Sequence, residues 1–323
     1  MTNLGPSIVT GGAGFIGSHI AEKLISMGEK VTVIDNLSSG TKENLERCQD
    51  QKLFNFIKAD LNKDEINFED IKNVFHLAAY PEVSTGFDNP GLAYRENVEN
   101  TFKLLELIRK SDVEKFVFSS SSVVYGEPKE IPTPETYGPL LPISAYGGSK
   151  LSCEGLIASY CSNYGIKCSI VRFANVIGSR SNHGIIWDFI HKLLKDNNEL
   201  KILGDGTQSK SYIHVDDCVE GILVSLEKSQ KNIDVFNIGN NDKVDVMTIA
   251  KIICNRLSLE NVKFSTTGGT LDGRGWVGDV KQMQLDISKL KELGWTPKLS
   301  SLEAVELASK EISQYILNSN QNN

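Results

Sequence analysis

The chain has 323 residues, of which 40% are hydrophobic and 23% charged, an ordinary globular balance that is ample for a large core. Its 34 basic and 41 acidic residues give a net charge of −7 without a long basic run, which disfavours a nucleic-acid partner. No segment has the roughly 20 apolar residues of a membrane span, no secretory leader is recognisable, and the cysteines and histidines lack metal-binding spacing. We therefore expect a cytoplasmic protein with reduced thiols, no membrane anchor and no metal.

Short apolar runs alternate with helical patterns along the first half of the chain. Continuous apolar runs separated by helices are typical of a parallel sheet that is covered on both faces, with right-handed crossovers. The helical patterns include Phe15–Met27 and Gly91–Lys110. The runs predict strands at Ser7–Thr10, Lys30–Ile34, Leu53–Lys58, Asn73–Leu77, Lys115–Ser119 and Lys167–Arg172.

The rhythm changes after about residue 173, where short strands and helices mix. We interpret residues 174–317 as mainly a smaller α/β lobe that covers the carboxyl edge of the sheet, the edge where such sheets bind ligands. Later segments are expected to return to the first domain, 1–173, and residues 318–323 to form a flexible tail. The elements predicted here are the strands Lys201–Leu203 and Val235–Ile238 and the helices Ile185–Lys195, Asp216–Ser225, Val246–Leu257 and Ser301–Ser319.

A glycine-rich turn follows the first predicted strand directly, in Thr10-Gly-Gly-Ala-Gly-Phe-Ile-Gly17. Gly11 permits a tight turn, Gly14 lets a pyrophosphate approach, and Gly17 permits close packing of a helix whose N-terminus attracts phosphate. Asp35 ends the second strand, where a carboxylate accepts hydrogen bonds from the adenosine ribose and repels a 2′-phosphate. The pattern predicts a doubly wound Rossmann fold that binds NAD rather than NADP; a plain strand-to-helix turn is the alternative.

A tyrosine and a lysine occur four residues apart in Tyr146-Gly-Gly-Ser-Lys150, so on a helix they share one face. A nearby ammonium favours phenolate, and the pKa of Tyr146 is therefore expected to fall toward the working pH. Four serines, Ser119–Ser122, end a buried strand, and one hydroxyl there can stabilise a substrate oxygen. Two surface side chains and a polar strand end are the alternatives that these patterns leave open.

These motifs occur in order with DNLSSG (35–40), HLAA (76–79), FSSSSVVYG (118–126) and GDGTQSKSYIHVDD (204–217). In that combination the chain resembles the extended short-chain dehydrogenases, and more narrowly the nucleotide-sugar epimerases of the UDP-glucose 4-epimerase type, up to about Pro297. The resemblance implies an NAD-dependent isomerase that acts on a UDP-sugar. It also implies a homodimer formed through the helices Gly91–Lys110 and Leu151–Tyr164.

The resemblance assigns site residues as well. It implies that Ser121, Tyr146 and Lys150 are catalytic. The implied cofactor site comprises Gly11, Gly14, Phe15, Ile16, Gly17, Asp35, Asn36, Ser38, Gly40, Asp60, Leu61, Leu77, Ala78, Ala79, Asn97, Ser119, Tyr146 and Lys150. The implied substrate site comprises Ser121, Tyr146, Asn175, Ile185, Lys210, Arg274, Asp279 and Met283.

The implied reaction is epimerisation at C4 of UDP-glucose or UDP-galactose through a transient 4-keto sugar. UDP-GlcNAc/UDP-GalNAc epimerisation is the alternative, because Met283 falls where bulk is thought to separate the two sugar classes and methionine is flexible. A non-catalytic NAD-binding regulatory or scaffold protein is the alternative of another class. Related 4,6-dehydratases carry Asp-Glu directly after the serine, where this chain has Ser122 and Val123, which argues against a dehydratase.

The chain departs from the family pattern on the substrate side. Trp276-Val-Gly-Asp279 replaces an REGD-like diphosphate motif, and Arg274 falls two residues early. Lys210 stands where the family commonly has arginine, so a bidentate fork is lost. The loop Tyr80-Pro-Glu-Val-Ser84 carries a carboxylate that would disfavour a uronate.

Overall fold

The computed structural model of the chain describes residues 4–81 and 89–321. Its strands, in chain order, are β1 (Ser7–Thr10), β2 (Val31–Asp35), β3 (Phe54–Lys58), β4 (Asn73–His76), β5 (Lys115–Ser121), β6 (Lys167–Phe173), β7 (Asn175–Ile177), β8 (Glu199–Ile202), β9 (Ser209–Lys210), β10 (Tyr212–His214), β11 (Ile233–Ile238), β12 (Val244–Asp245), β13 (Lys263–Thr266) and β14 (Gln282–Met283).

Ten α-helices are described, and a π-helical stretch, Tyr94–Glu99, joins the third to the fourth. They are α1 (Phe15–Ser26), α2 (Glu46–Gln49), α3 (Pro90–Ala93), α4 (Asn100–Ile108), α5 (Ala145–Tyr164), α6 (Ile185–Lys195), α7 (Val215–Lys228), α8 (Val246–Arg256), α9 (Ser288–Glu292) and α10 (Ser301–Gln321).

Seven parallel strands form the central sheet in the order β11-β6-β5-β4-β1-β2-β3. The sheet is buried on both faces because helices cover each of them. Ile8 of β1 packs on one face with Leu104 and Ile157, and Val9 packs on the other with Ile20. The strand order reverses beside β1, and ligands of open α/β sheets bind at the carboxyl edge of such a switch point.

The predicted strands of the first half agree with the observed ones to within two residues at each end. The predicted Val235–Ile238 strand is not part of the smaller lobe, because β11 pairs in parallel with β6 and forms the edge of the central sheet. The helix α10 continues through Gln321, beyond the predicted end at Ser319 and into the segment that was expected to be a flexible tail. The sequence did not predict β7, β9, β10, β12, β13 or β14, each of two to four residues.

The smaller lobe has a core of its own. Helices α6, α8 and α10 pack together and cover the strand β8, which pairs with β13. Residues of β9 pair with β12 on one side and with β14 on the other, and Ser211, the residue after β9, accepts a hydrogen bond from the backbone N–H of Asn175, just beyond the carboxyl end of β6. The candidate site lies between these two parts.

Candidate active site

The glycine-rich turn packs backbone against backbone. A Cβ atom at Gly17 would lie 2.3 Å from the carbonyl oxygen of Gly11, so α1 reaches the turn only because position 17 has no side chain. Gly11 has a φ of +67°, and a Cβ there would lie 2.5 Å from the backbone nitrogen of Ala78. The helix α1 begins at Phe15, followed by Ile16, with no acidic residue in its first turn. The turn therefore has the shape and polarity of a phosphate cradle.

Asp35, at the end of β2, is bound to this turn. Its carboxylate accepts hydrogen bonds from the backbone N–H groups of Ala13, at 3.0 Å, and Leu37, at 2.8 Å. Burial raises the pKa of Asp35, and the two backbone donors oppose that effect. Gly40 is held equally close, because a Cβ there would lie 2.7 Å from the carbonyl carbon of Ala13.

Other predicted cofactor residues surround the same edge. The Asn36 side chain bonds to Asp60 and also accepts a hydrogen bond from the backbone N–H of Ser38, at 3.0 Å. Leu61 is buried, and the backbone N–H of Leu77 donates to Thr10 at the end of β1. Ala78 contacts the glycine turn, and Ala79 follows it in the chain. The structure thus gathers the predicted cofactor residues along one edge.

The predicted catalytic residues converge at the carboxyl end of β5. The Ser121 hydroxyl is hydrogen-bonded to the Tyr146 hydroxyl, and Tyr146 lies in the first turn of α5. Lys150, one turn further along, donates from Nζ to the carbonyl oxygen of Ser119 at 2.7 Å. The Ser119 hydroxyl donates to the carbonyl oxygen of His76 on the neighbouring strand at 3.0 Å.

The predicted fall in the pKa of Tyr146 is wrong for this arrangement. Burial raises the pKa of Tyr146 to about 12, and the hydrogen bond with Ser121 only partly opposes this shift. Lys150 does not compensate, because its Nζ is directed at the Ser119 carbonyl and lies 5.8 Å from the centre of the tyrosine ring. Burial also lowers the pKa of Lys150 to about 8. The missing contribution is therefore a positive charge close to the phenol oxygen.

Asn97 joins the loop after β4 to α5, the helix that carries Tyr146 and Lys150. Its Oδ1 accepts a hydrogen bond from the backbone N–H of Tyr80 at 2.7 Å, and its Nδ2 donates to Ser149 at 2.8 Å. The Ser149 hydroxyl donates in turn to the carbonyl oxygen of Tyr146, also at 2.8 Å. Residues 82–84 of the predicted loop, with the carboxylate at position 82, lie outside the described residues.

On the opposite side, charged groups pair with one another. Lys210 donates to Asp279 at 2.7 Å, and its ammonium lies 5.7 Å from the ring centre of Trp276. Arg274 forms ion pairs with Asp272 and Glu127, and its Nη1 donates to the carbonyl oxygen of Asp279 at 3.3 Å. The structure thus brings Lys210, Arg274 and Asp279 together, with both cations engaged by carboxylates.

The remaining predicted substrate residues border this group. Asn175 donates from Nδ2 to the carbonyl oxygen of Ser211 at 3.3 Å, next to Lys210. Met283 pairs with Lys210 between β14 and β9, and its buried side chain packs against Tyr125. Ile185 is the first residue of α6 and packs against the core of the smaller lobe.

Sequence reasoning missed several side chains that hold the site in place. His76 is buried between the hydroxyls of Thr10, at 2.7 Å, and Thr101, at 3.0 Å. Glu154 and Arg172 form a buried ion pair between α5 and β6. Glu154 could have been found, because it follows Tyr146 and Lys150 at the same four-residue spacing. The contacts of His76 and Arg172 have no local signal.

Comparison with known proteins identifies the family. The family model of the NAD dependent epimerase/dehydratase family matches residues 7–239. The chain belongs to this family. A Methanocaldococcus jannaschii protein, whose proposed identity is UDP-glucose 4-epimerase, is 36% identical over 97% of this chain and 99% of its own.

Two solved structures of UDP-sugar epimerases show the same fold. A crystal structure of a UDP-galactose 4-epimerase is 40% identical, with a TM-score of 0.84, and the match covers 96% of this chain and 99% of that one. A UDP-N-acetylglucosamine 4-epimerase from Methanobrevibacter ruminantium M1, in complex with UDP-N-acetylmuramic acid, is 31% identical, with a TM-score of 0.86. That match covers 99% of this chain and 100% of the other. The protein is therefore an NAD-dependent enzyme of the UDP-sugar epimerase type.

The residues of this epimerase-family chain fit NAD. Side chains at Gly11 and Gly17 would close the cradle, and the first turn of α1 carries no carboxylate to oppose a phosphate. Asp35 ends β2 with a carboxylate of the kind that accepts ribose hydroxyls. Among residues 4–81 and 89–321, no three His, Cys, Asp or Glu side chains are grouped to hold a metal. Within the same ranges, no helix is long and apolar enough to cross a membrane.

Proposed function

We propose that the protein interconverts UDP-glucose and UDP-galactose by epimerisation at C4. The observation that carries the proposal is the placement of the Ser121 side chain beside the Tyr146 hydroxyl at the carboxyl end of β5, with Lys150 one helical turn away. Two hydroxyls that meet at one point can both contact a single substrate oxygen, one as proton acceptor and one as donor. The similarity to UDP-glucose and UDP-galactose 4-epimerases supports the choice of sugar.

In this proposal Tyr146 removes the proton of the C4 hydroxyl, and Ser121 donates a hydrogen bond to the same oxygen. NAD, when bound, supplies the chemistry of accepting a hydride from C4 and returning it. A positive charge near the phenol oxygen would lower the high pKa of Tyr146. We expect that charge on the cofactor side, where Lys150 and the Ser119 carbonyl lie. Asn175 and Lys210 would hold the diphosphate, and a loosely held 4-keto sugar could then turn over and present its other face.

Elimination of water from the sugar is disfavoured by the residues that follow Ser121. Ser122 and Val123 open a short 3₁₀ helix, and the Ser121 side chain accepts from the backbone N–H of Val123 at 3.4 Å. Neither of these two residues can serve as a carboxylic acid or a carboxylate base. The serine, tyrosine and lysine suffice for the proton transfer at C4, and NAD, when bound, would accept and return the hydride.

An N-acetylated sugar is the second candidate. It is favoured by the 31% identity to a UDP-N-acetylglucosamine 4-epimerase. Met283 stands at the position where bulk is expected to separate the two sugar classes. It is only 6% exposed and belongs to an apolar cluster with Val124 and Tyr125. A flexible thioether chain can move within such a cluster, whereas a branched one could not. An assay with both sugars is therefore needed to decide between them.

The test is incubation of the purified protein with UDP-glucose and, separately, with UDP-GlcNAc, followed by proton NMR of the anomeric signals. We expect the 4-epimer of UDP-glucose to appear at the higher rate, and no product with Tyr146→Phe. Faster turnover of UDP-GlcNAc would replace the first sugar by the second. Absence of product from both, with NAD bound, would overturn the proposal and direct the assay to UDP-glucuronate and then to the non-catalytic interpretation.

We also propose that the protein is a homodimer joined through α4 and α5. Phe102 and Tyr164 are 45% and 49% exposed, and their rings contact Tyr160 between them. Three aromatic rings along two adjacent helices form an apolar surface typical of a helix-to-helix interface. Light scattering should give a mass of two chains for the wild type and of one chain for Phe102→Glu. A wild-type monomer would refute this interface.

A further inference from the structure

Three side chains follow one another along a single face of α5. Tyr146, Lys150 and Glu154 are separated by four residues each, so they lie one above another on the helix. Each contacts the last residues of β5: Tyr146 bonds to Ser121, Lys150 donates to the Ser119 carbonyl, and Glu154 accepts from the Ser120 hydroxyl at 2.5 Å. The helix is thus joined to three successive residues of the strand.

Glu154 is fixed from behind by a guanidinium. Arg172 on β6 donates from Nε to one carboxylate oxygen at 3.0 Å and from Nη2 to the other at 2.6 Å. Arg172 is 4% exposed and Glu154 is 6% exposed. The guanidinium also lies 4.7 Å from the ring centre of Tyr125 and donates to the Glu135 carbonyl at 3.5 Å. A two-point fork of this kind fixes the orientation as well as the position of the carboxylate.

Stability alone gives a weak reason for such a pair. Desolvation of two charges offsets most of their attraction, and a well-packed apolar pair of the same volume is often as stable or more so. An ion pair does specify one relative placement of the elements that carry it. Here those elements are α5 and β6, and the Ser120 contact adds β5; α5 and β5 carry the proposed catalytic residues.

We propose that Glu154 and Arg172 are positioning residues that set α5 against the end of β5, so that the Tyr146 and Ser121 hydroxyls meet, and that Glu154 is the counter-charge of Lys150. Its effect on turnover rests on the proposed function, whereas its effect on Lys150 does not. The titratable groups that face Lys150 are Tyr146, Cys153 and Glu154 on its own helix and His76 on β4. Burial raises the pKa of Cys153 and lowers that of His76 to about 3, so both are neutral at pH 7. Glu154 then supplies the carboxylate of this group, and the Arg172 guanidinium that pairs with it is the neighbouring cation from β6.

Three variants test the inference. Glu154→Gln removes the negative charge and keeps the shape of the side chain. Glu154→Gln combined with Arg172→Gln also removes the guanidinium, which would otherwise be buried without its partner. Ser120→Ala removes one contact to Glu154 and leaves the ion pair intact, so it is the mildest. Glu22→Gln is the matched control, because Glu22 forms an ion pair with Arg180 from a different helix, α1.

The first readout is the pKa of Lys150 in the NAD-loaded protein, measured by NMR of ¹³Cε-labelled lysine with the signal assigned through Lys150→Met. We expect the pKa of Lys150 to fall by up to about one unit in Glu154→Gln, to fall much less in the double variant, which loses one charge of each sign, and not to change in Glu22→Gln. An unchanged pKa of Lys150 in Glu154→Gln, or an equal fall in the double variant, would overturn the counter-charge. This readout is independent of the substrate, so it remains valid if the proposed function fails.

The second readout is the split between kcat and KM for the UDP-sugar. We expect kcat to fall roughly tenfold to hundredfold in Glu154→Gln and about fivefold in Ser120→Ala, with KM nearly constant. The double variant should regain thermal stability and keep the low kcat. If kcat recovers together with stability, the pair is only structural. If Glu154→Gln does not fold, the double variant and Ser120→Ala decide, and a wild-type kcat in either would overturn the inference.

Discussion

The two sides of the site are built differently. On the sheet side, buried side chains bond to backbone atoms of neighbouring strands, as Lys150 does with Ser119 and Asn97 with Tyr80. On the loop side, formed by residues 203–210 and 268–283, Lys210 pairs with the buried Asp279, and Arg274 pairs with carboxylates that are partly in water. The Arg274 partners Asp272 and Glu127 have side chains 55% and 51% exposed.

The difference suits the roles that we propose for the two sides. Proton transfer requires atoms held to within a few tenths of an ångström, and buried backbone contacts supply that. Half-exposed ion pairs are worth little and exchange readily. On the loop side, Lys210 has one carboxylate to leave for the phosphates of a substrate, whereas Arg274 has two. We therefore expect substitutions on the sheet side to lower kcat or the free energy of unfolding strongly, and substitutions on the loop side to change KM more modestly.

The largest effect is expected from the serine that meets Tyr146. Ser121→Ala removes the donor to the reacting oxygen, and kcat for the UDP-sugar should fall by about 10²–10³ with KM little changed. Ser122→Ala is the matched control, one residue further and in the adjoining 3₁₀ helix. Steady-state kinetics of the two variants provides the comparison, and an equal loss in Ser122→Ala would refute the assignment of Ser121.

The next effect concerns the glycine turn. Gly17→Ala places a methyl group 2.3 Å from the Gly11 carbonyl oxygen, and relief of that overlap should cost about 3 kcal/mol of the free energy of unfolding. Gly28→Ala is the control, because its φ is +86° but no atom lies within 4 Å of a Cβ there. It should cost about 1 kcal/mol. Denaturant unfolding measures both, and equal losses would show that crowding at Gly17 is not the reason for that glycine.

The sheet side could be predicted from the sequence and the loop side only in part. Residues such as Gly17, Asp35 and Tyr146 act through neighbours that are close in sequence or at the end of the next strand, so spacing reveals them. Lys210 and Arg274 act through partners on other loops, and no local pattern tells which carboxylate each will meet. The pKa of Tyr146 was mispredicted for the same reason, since it depends on burial and on where Lys150 points.

A third effect comes from the buried histidine of the sheet side. Burial lowers the pKa of His76 to about 3, while the unfolded chain binds that proton near pH 6.5. The folded state therefore loses stability as pH falls through 6.5, by about 2 kcal/mol at pH 5 relative to pH 7 from this residue. Denaturant unfolding at both pH values, in the wild type and in His76→Gln, measures it. An equally large pH-dependent loss in the variant would assign the effect to other groups.

The smallest effect, and the one that probes the loop side, separates Lys210 from Arg274. Lys210 has one carboxylate partner, Asp279, and the rest of its ammonium faces the ring of Trp276, so it can turn to a diphosphate. The Arg274 guanidinium is engaged by two carboxylates and by the Asp279 carbonyl. Lys210→Ala should therefore raise KM for the UDP-sugar about tenfold, equivalent to one charge-assisted hydrogen bond, with kcat nearly unchanged.

Arg274→Ala should change KM less than about threefold, because the guanidinium would have to give up three existing acceptors for a phosphate. Lys210→Arg controls for the loss of positive charge and should restore most of the affinity. Titration calorimetry with UDP gives the same comparison without turnover. A larger loss in Arg274→Ala than in Lys210→Ala would mean that Arg274 releases its carboxylates when the substrate binds. Arg274 would then bind the diphosphate in place of the arginine of the REGD-like motif, which this chain lacks.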